Sequence, residues 1–194
     1  MSVLVVMALP QESRGLLERA GAAPLFTGVG KINASMTLAR TLAGLRQAGT
    51  LPSVVVNFGT AGSRIVPTGR VVECTRFVQR DMDVTALGFE RGETPFDPTP
   101  RILEGSRFFP QLQAASCSTA DSFATDGHEI DADVTDMEAF ALARVCLAEG
   151  VRFAAAKYVT DGADGSAASD WADALDAAAR AFAELYASIG RPGG

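Results

Sequence analysis

"DMEAFALARVCLAEGVRFAAAKYVTDGAD", residues 136–164, decides how this chain is read. Its first half reads as a helix from Asp136 to Glu149, with Leu142, Val145 and Cys146 at helical spacing. Its second half, Phe153 to Thr160, is a short apolar run with the composition of a buried strand. A helix followed at once by a buried strand is half of an α/β repeat. The strand is unusual for its charges, Lys157 in the middle and Asp161 at the end. Charged side chains are seldom fully buried without partners, so Lys157 calls for a carboxylate, with Glu12 and Asp161 as candidates, or for a water-filled pocket. Strict alternation along a strand would put 157, 159 and 161 on one side.

The same grammar extends in both directions. Val3 to Ala8 reads as a buried first strand rather than a leader peptide. Pro10 opens a helix with Leu16 and Leu17 as its core face and Gly21 as its stop. A short strand near 24–27 precedes a helix from about Asn33 to Arg46, with Met36, Leu38, Leu42 and Leu45 as its apolar members. Residues 53–58 form a second buried strand that ends in the loop "GTAGS", and 70–79 and 114–120 have strand composition. Between them, Arg80 to Pro100 is too long for a turn, and loops of that length usually carry function. Trp171 to Ile189 is an alanine-rich closing helix, and the last residues are a frayed tail. Strands alternating with helices over 1–194 predict one α/β domain with its sheet covered on both faces.

With 194 residues and a formal net charge of −6, the chain has no basic stripe for nucleic acid. No apolar run reaches the roughly 20 residues a membrane helix needs, so neither DNA nor a membrane is an expected partner. Three scattered cysteines suggest no disulfide framework, which points to a reducing cytoplasm. A single histidine, His128, and the absence of C-x-x-C leave no obvious metal site, and no cofactor is expected.

In α/β sheets, ligands gather at the carboxyl ends of strands. Four such ends here are polar or glycine-rich: Glu12 after the first, "GTAGS" after the second, "ADSFATDG" after a small one, and Asp161 after the last. Each has a plain structural alternative. Glu12 also suits the positive end of a helix dipole. "GTAGS" is either a tight turn or a set of backbone N–H groups facing a ligand. Glu138 and Asp136 suit a helix start, Met137 suits a core, and Lys157 with its carboxylate suits a structural ion pair.

The ordered set "GVGKINAS", "VVNFGTAGS", "DVTALGFERGETP", "STADSFATDG", "DMEAFALARVC" and "KYVTDGAD" resembles the purine nucleoside phosphorylase/hydrolase superfamily. Within it, the chain is most similar to the 5′-methylthioadenosine/S-adenosylhomocysteine nucleosidases. The resemblance implies a three-layer α/β/α sandwich around a mixed, partly barrel-like sheet, usually in a homodimer. It implies hydrolysis of the N-glycosidic bond of a purine nucleoside. Asp161 would protonate N7 of the leaving base, Glu138 would hold the ribose hydroxyls, and Met137 would pack under the sugar. Glu12 would orient the attacking water with Lys157 and the segment Thr60, Ala61 and Gly62. Phe123 would stack on the base while the backbone near Ala124 reads its edge. Trp171 would close the pocket beside the 5′ substituent, Leu9 and Val29 would be further substrate-binding residues, and Val84 and Leu87 would reach into the neighbouring subunit's site. Lys157 stands where these enzymes typically have arginine, Leu87 replaces a common phenylalanine, and the stretch between Gly21 and Gly28 is short. The alternatives are a phosphate-dependent phosphorylase, a futalosine-type nucleosidase, or a purine binder without catalysis.

Overall fold

The computed structural model describes residues 1–122, 132–163 and 167–189. Eight strands belong to one mixed sheet: β1 (Val3–Met7), β2 (Leu25–Phe26), β3 (Val54–Gly62), β4 (Val71–Gln79), β5 (Ile102–Glu104), β6 (Gln113–Thr119), β7 (Val134–Asp136) and β8 (Arg152–Asp161). Five helices accompany them: α1 (Pro10–Ser13), α2 (Leu16–Arg19), α3 (Lys31–Gln47), α4 (Ala139–Glu149) and α5 (Ala167–Ser188). β3 runs parallel to β1 and β8, β8 is antiparallel to β4, β4 is parallel to β6, and β6 is parallel to β7. β7 then returns antiparallel to the end of β3 through Gly62 and Thr135. Strands β3, β8, β4, β6 and β7 therefore close into a ring, with β1, β2 and β5 outside it.

Consecutive residues of the central strands serve opposite layers. Val6, Val55, Ala155 and Val159 face α3 and α4, where Leu38, Leu42, Leu142 and Cys146 pack. Val5, Val56, Ala154 and Ala156 face the other layer, with Leu17 of α2 and Ala178 and Phe182 of α5. A strand covered on both sides has no polar face to show, which is why these strands read as unbroken apolar runs.

Several expectations are corrected. The helix expected after Pro10 is two short ones, split where Arg14 and Gly15 both take left-handed backbone (φ 49° and 69°). Of its expected core face, Leu17 is buried and Leu16 only half-buried. "GTAG" is not a loop but the last part of β3, paired along β8. β5 and β7, each 3 residues long, were too short to show a period in the sequence. Met36 on α3 is exposed, unlike Leu38 and Leu42. The long excursion keeps only a 3₁₀ turn, Thr85–Leu87.

Candidate active site

A cavity of about 250 Å³ opens where β1, β3, β4, β6, β7 and β8 end. Its size is near the lower end of small-molecule sites. Glu12, Glu138 and Asp161 all line it, as do Thr60, Ala61 and Gly62 from β3. Leu9, Val29, Met137 and Trp171 complete the expected wall. Phe123 and Ala124 lie outside the described residues.

Glu12 is held by three donors. Its Oε1 accepts from the Thr60 N–H and the Thr60 hydroxyl, each at 3.0 Å, and its Oε2 accepts from the Leu9 N–H at 3.1 Å. The Leu9 bond closes the first helical turn, so the favourable helix-start placement and the site placement are the same fact. The Thr60 hydroxyl also accepts from Trp171 Nε1 at 2.9 Å, which ties α5 to the end of β3.

Asp161 is fixed by its neighbours. Its Oδ2 accepts from the Thr160 hydroxyl at 2.8 Å and its Oδ1 from the Ala163 N–H at 2.9 Å. Gly62 lies directly against it: a Cβ there would come within 2.5 Å of Oδ1. The glycine in "GTAGS" thus makes room for a carboxylate, which spacing alone could not show.

Glu138 follows β7 and precedes α4. Its Oε1 accepts from the Gly30 N–H at 2.8 Å, and it is 8% exposed. Burial, with the nearby Asp136 and Glu12 carboxylates, raises its pKa to about 7 against the pull of Lys157 and the Gly30 N–H.

Lys157 does not line the cavity, and its ion-pair partner is Asp136, not Glu12 or Asp161. Nζ lies 2.8 Å from Asp136 Oδ2, with both side chains 1% exposed. Two features defeat the alternation argument. The pairing of β3 with β8 slips near its end, Ala61 opposite Val159 but Gly62 opposite Asp161, which leaves Thr160 as an extra residue. And Asp136 enters through β7, a strand too short to foresee. Gly59 leaves room for the lysine arm, since a Cβ there would sit 3.0 Å from Nζ and 3.6 Å from Glu12 Oε1. Burial lowers the Lys157 pKa, but the charges of Asp136, Cys117 and Glu138 outweigh it and hold the ammonium above its ordinary value. Asp136 also accepts from the Thr119 hydroxyl at 2.6 Å and the Ala139 N–H at 2.8 Å, so its helix-start role holds beside the ion pair.

Val84 and Leu87 are not on this chain's cavity, and Leu87 is 70% exposed. Sequence reasoning missed Arg80, the residue just after β4, which lines the cavity although it is 6% exposed. The strand-end rule that picked Asp161 would have picked it too.

A mixed sheet curled into a ring and covered by helices on both faces, with four carboxylates (Glu12, Asp136, Glu138 and Asp161) on one cavity, matches one broad class. The sequence profile of the phosphorylase superfamily covers residues 13–189, and the chain belongs to that superfamily. More particularly, it is 31% identical to a 5′-methylthioadenosine/S-adenosylhomocysteine nucleosidase of a Geobacillus species, over 95% of this chain and 86% of that one. The nucleosidase of the same description from Actinobacillus succinogenes is 31% identical over 83% of this chain and 76% of its own. Among solved structures, the Helicobacter pylori 5′-methylthioadenosine/S-adenosylhomocysteine nucleosidase with butyl-thio-DADMe-Immucillin-A superimposes with a TM-score of 0.83 at 20% identity, covering 96% of each chain. The futalosine hydrolase of the same organism gives 0.82 at 18% identity, covering 95% of this chain and 94% of its own. These two establish the likeness of fold.

Proposed function

We propose that this chain is a nucleosidase that hydrolyses the N-glycosidic bond of a purine nucleoside, adenine-type and 5′-thio-substituted, to free base and sugar. The observation that carries the reading is the convergence of Glu12, Glu138 and Asp161 on one cavity in a chain related to nucleosidases of that activity. The C1′–N9 bond breaks with its electron pair leaving on the base, and Asp161 delivers a proton to N7. The sugar passes through an oxocarbenium-like cation, to which carboxylates in a partly dry site give electrostatic stabilisation. Glu12, held by Leu9 and Thr60, positions the water that attacks C1′ and takes its proton. Glu138 accepts from the ribose hydroxyls, and Met137 packs beneath the ring. Phe123 and the backbone of Ala124 grip the base. Leu9, Val29 and Trp171, with Ala61 and Gly62 behind, form the apolar remainder.

In this scheme Lys157 is a positioning residue. It neutralises Asp136, so that β7 can present Glu138 without a second uncompensated charge beside it. The chemistry written here draws on no metal and no organic cofactor. We take the working unit to be a homodimer in the cytoplasm, with Val84 and Leu87 reaching the neighbouring site. Exposed Val29, Ile32 and Leu87 supply apolar surface that supports this pairing. No helix among the described residues is long and apolar enough to cross a membrane.

The test is to incubate the protein with methylthioadenosine, adenosylhomocysteine, adenosine and inosine, with and without phosphate, and follow free base by chromatography. Base released from a 5′-thio nucleoside without phosphate is the expected result. Release only with phosphate would make the chain a phosphorylase and remove the water role from Glu12.

A further inference from the structure

Glu12 has one acceptor place left open. A carboxylate offers about four lone-pair sites, shared between its two oxygens. Oε1 takes the Thr60 N–H and the Thr60 hydroxyl, each at 3.0 Å, and is filled by them. Oε2 takes the Leu9 N–H at 3.1 Å and no other donor among the described residues. The nearby ammonium of Lys157 is committed to Asp136 at 2.8 Å. Glu12 lines the cavity, so the remaining site, on Oε2, is the one a water can fill.

This arrangement hangs on the direction of the Thr60 hydroxyl. A threonine hydroxyl rotates and can give or take a hydrogen bond. Here Trp171 sets its sense. An indole N–H can only donate, so its bond at 2.9 Å uses a lone pair of the Thr60 oxygen. The hydroxyl proton is turned away from the indole, and the acceptor in place for it is Glu12 Oε1. Indole, hydroxyl and carboxylate thus form a chain of donors with one sense. Without the indole, the hydroxyl is free to swing its proton to a ligand or a water. Oε1 then has a vacant site of its own, and a water has two places to sit. The helix that carries Trp171, α5, also reaches the end of α1 through Arg14 Nε and Asp176 Oδ1 at 2.8 Å. That pair is exposed and contributes little, so the half-buried indole is the firmer link between α5 and the surroundings of Glu12.

Resting on the nucleosidase reading, we propose that Trp171 is a positioning residue for Glu12, acting through Thr60, and that it makes Oε2 the oxygen that receives the water's proton. As the C1′–N9 bond breaks, the water oxygen bonds to C1′ and one O–H proton passes to Oε2. Trp171 touches none of the reacting atoms. It holds the base in one orientation, so its weight falls on the rate rather than on ligand affinity.

The experiment cuts the chain at each link. Trp171→Phe keeps an aromatic ring on the cavity wall and removes the donor. Thr60→Val keeps the shape and the backbone N–H and removes the hydroxyl. These two, their double variant and Thr60→Ser are assayed for kcat and KM with methylthioadenosine. Trp171 is the only tryptophan in the chain, so its indole N–H gives one signal that heteronuclear NMR can follow without any turnover. Trp171→Phe should lower kcat about 3- to 10-fold, the span of one hydrogen bond, with KM within about twofold. Thr60→Val should lower kcat at least as much, and adding Trp171→Phe to it should cost nothing more, because the chain is already cut. Thr60→Ser should recover most of what Thr60→Val loses. The indole signal should move in Thr60→Val and in Glu12→Gln, and return towards its place in Thr60→Ser. A double variant whose loss is the product of the two single losses overturns the proposal, as does a Trp171→Phe variant that raises KM at unchanged kcat; either makes Trp171 only a wall. An indole signal that ignores both Thr60→Val and Glu12→Gln overturns it too. If the unmodified protein releases no base from any nucleoside while the indole signal answers to both changes, the bonded chain stands and the nucleosidase reading falls.

Discussion

Two buried glutamates, Glu73 within the sheet and Glu138 just past its β7 strand, show how differently the chain treats its charges. Glu73, in β4, is fully buried and accepts from the N–H groups of Phe108 and Phe109 and from the Arg107 guanidinium, the last at 2.6 Å. Every charge there is answered, and the cluster clamps the segment after β5 onto the sheet. Glu138 has one donor, Gly30, on one oxygen, and no hydrogen bond on the other among the described residues. The fully answered carboxylate is part of the scaffold. The half-answered one faces a cavity, and its missing partners are those a ligand would bring.

The comparison is sharpened most by Asp161→Asn. If Asp161 is the acid, base release should fall about 10³-fold, within the usual span for a general acid, with the thermal midpoint nearly unchanged. Calorimetric melting alongside a base-release assay checks both halves, and retention of most activity would sink the assignment.

Glu138 makes a prediction in pH. Its folded pKa, about 7, is raised above the ordinary 4.5, so the folded state binds the extra proton. The stability it contributes is complete below about pH 4.5 and is lost as pH rises through 7, on the order of 3 kcal/mol at 1.36 kcal/mol per unit. Urea midpoints across this window should fall with pH, and Glu138→Gln should flatten that slope. Ligand affinity should move the opposite way, weakening below pH 7 as the ribose acceptor is protonated.

Gly62→Ala should cost about 10²-fold in turnover, because the new methyl displaces Asp161 Oδ1 by roughly the distance that spoils alignment. A crystal structure of the variant with Asp161 unmoved would refute that cause. Glu73→Gln is the mirror case: about 2 kcal/mol of stability lost in a denaturant titration, with kcat/KM untouched where the variant is folded. The smallest effect belongs to Trp171→Phe, which removes the bond to Thr60 and should cost about 1 kcal/mol, read from the shift in the denaturant midpoint.

What could be read in the sequence follows from where packing leaves a period. β1, β3 and β8 announce themselves as apolar runs because helices cover both faces. β5 and β7 are three residues each and leave no period, yet β7 brings Asp136 and Glu138 to the site. Glu12 and Asp161 were visible because strand ends in such sheets are where ligands sit, whereas Glu138 read as a helix start and gained a site role only through the family resemblance. The choice of Asp136 for Lys157 was not visible, because it depends on a slip in register near Thr160 and on the bare backbone at Gly59. Arg80 was read only as the first residue of the long excursion, although the strand before it, 70–79, was placed within one residue of β4.

The ring has a further consequence for how the molecule breathes. A closed ring has no edge from which to fray, so it must part at a seam, and the join of β3 to β7 is one ladder pair, Gly62 with Thr135, backed by the Ser63 hydroxyl donating to the Asp133 carbonyl at 2.6 Å. That seam lies beneath the cavity. Amide protons on either side of it should exchange with solvent through small openings, well before those of the β3–β8 interior, and a bound ligand that touches both banks would stitch the seam shut. Slowed exchange there would register occupancy of the site even for a compound the enzyme never turns over.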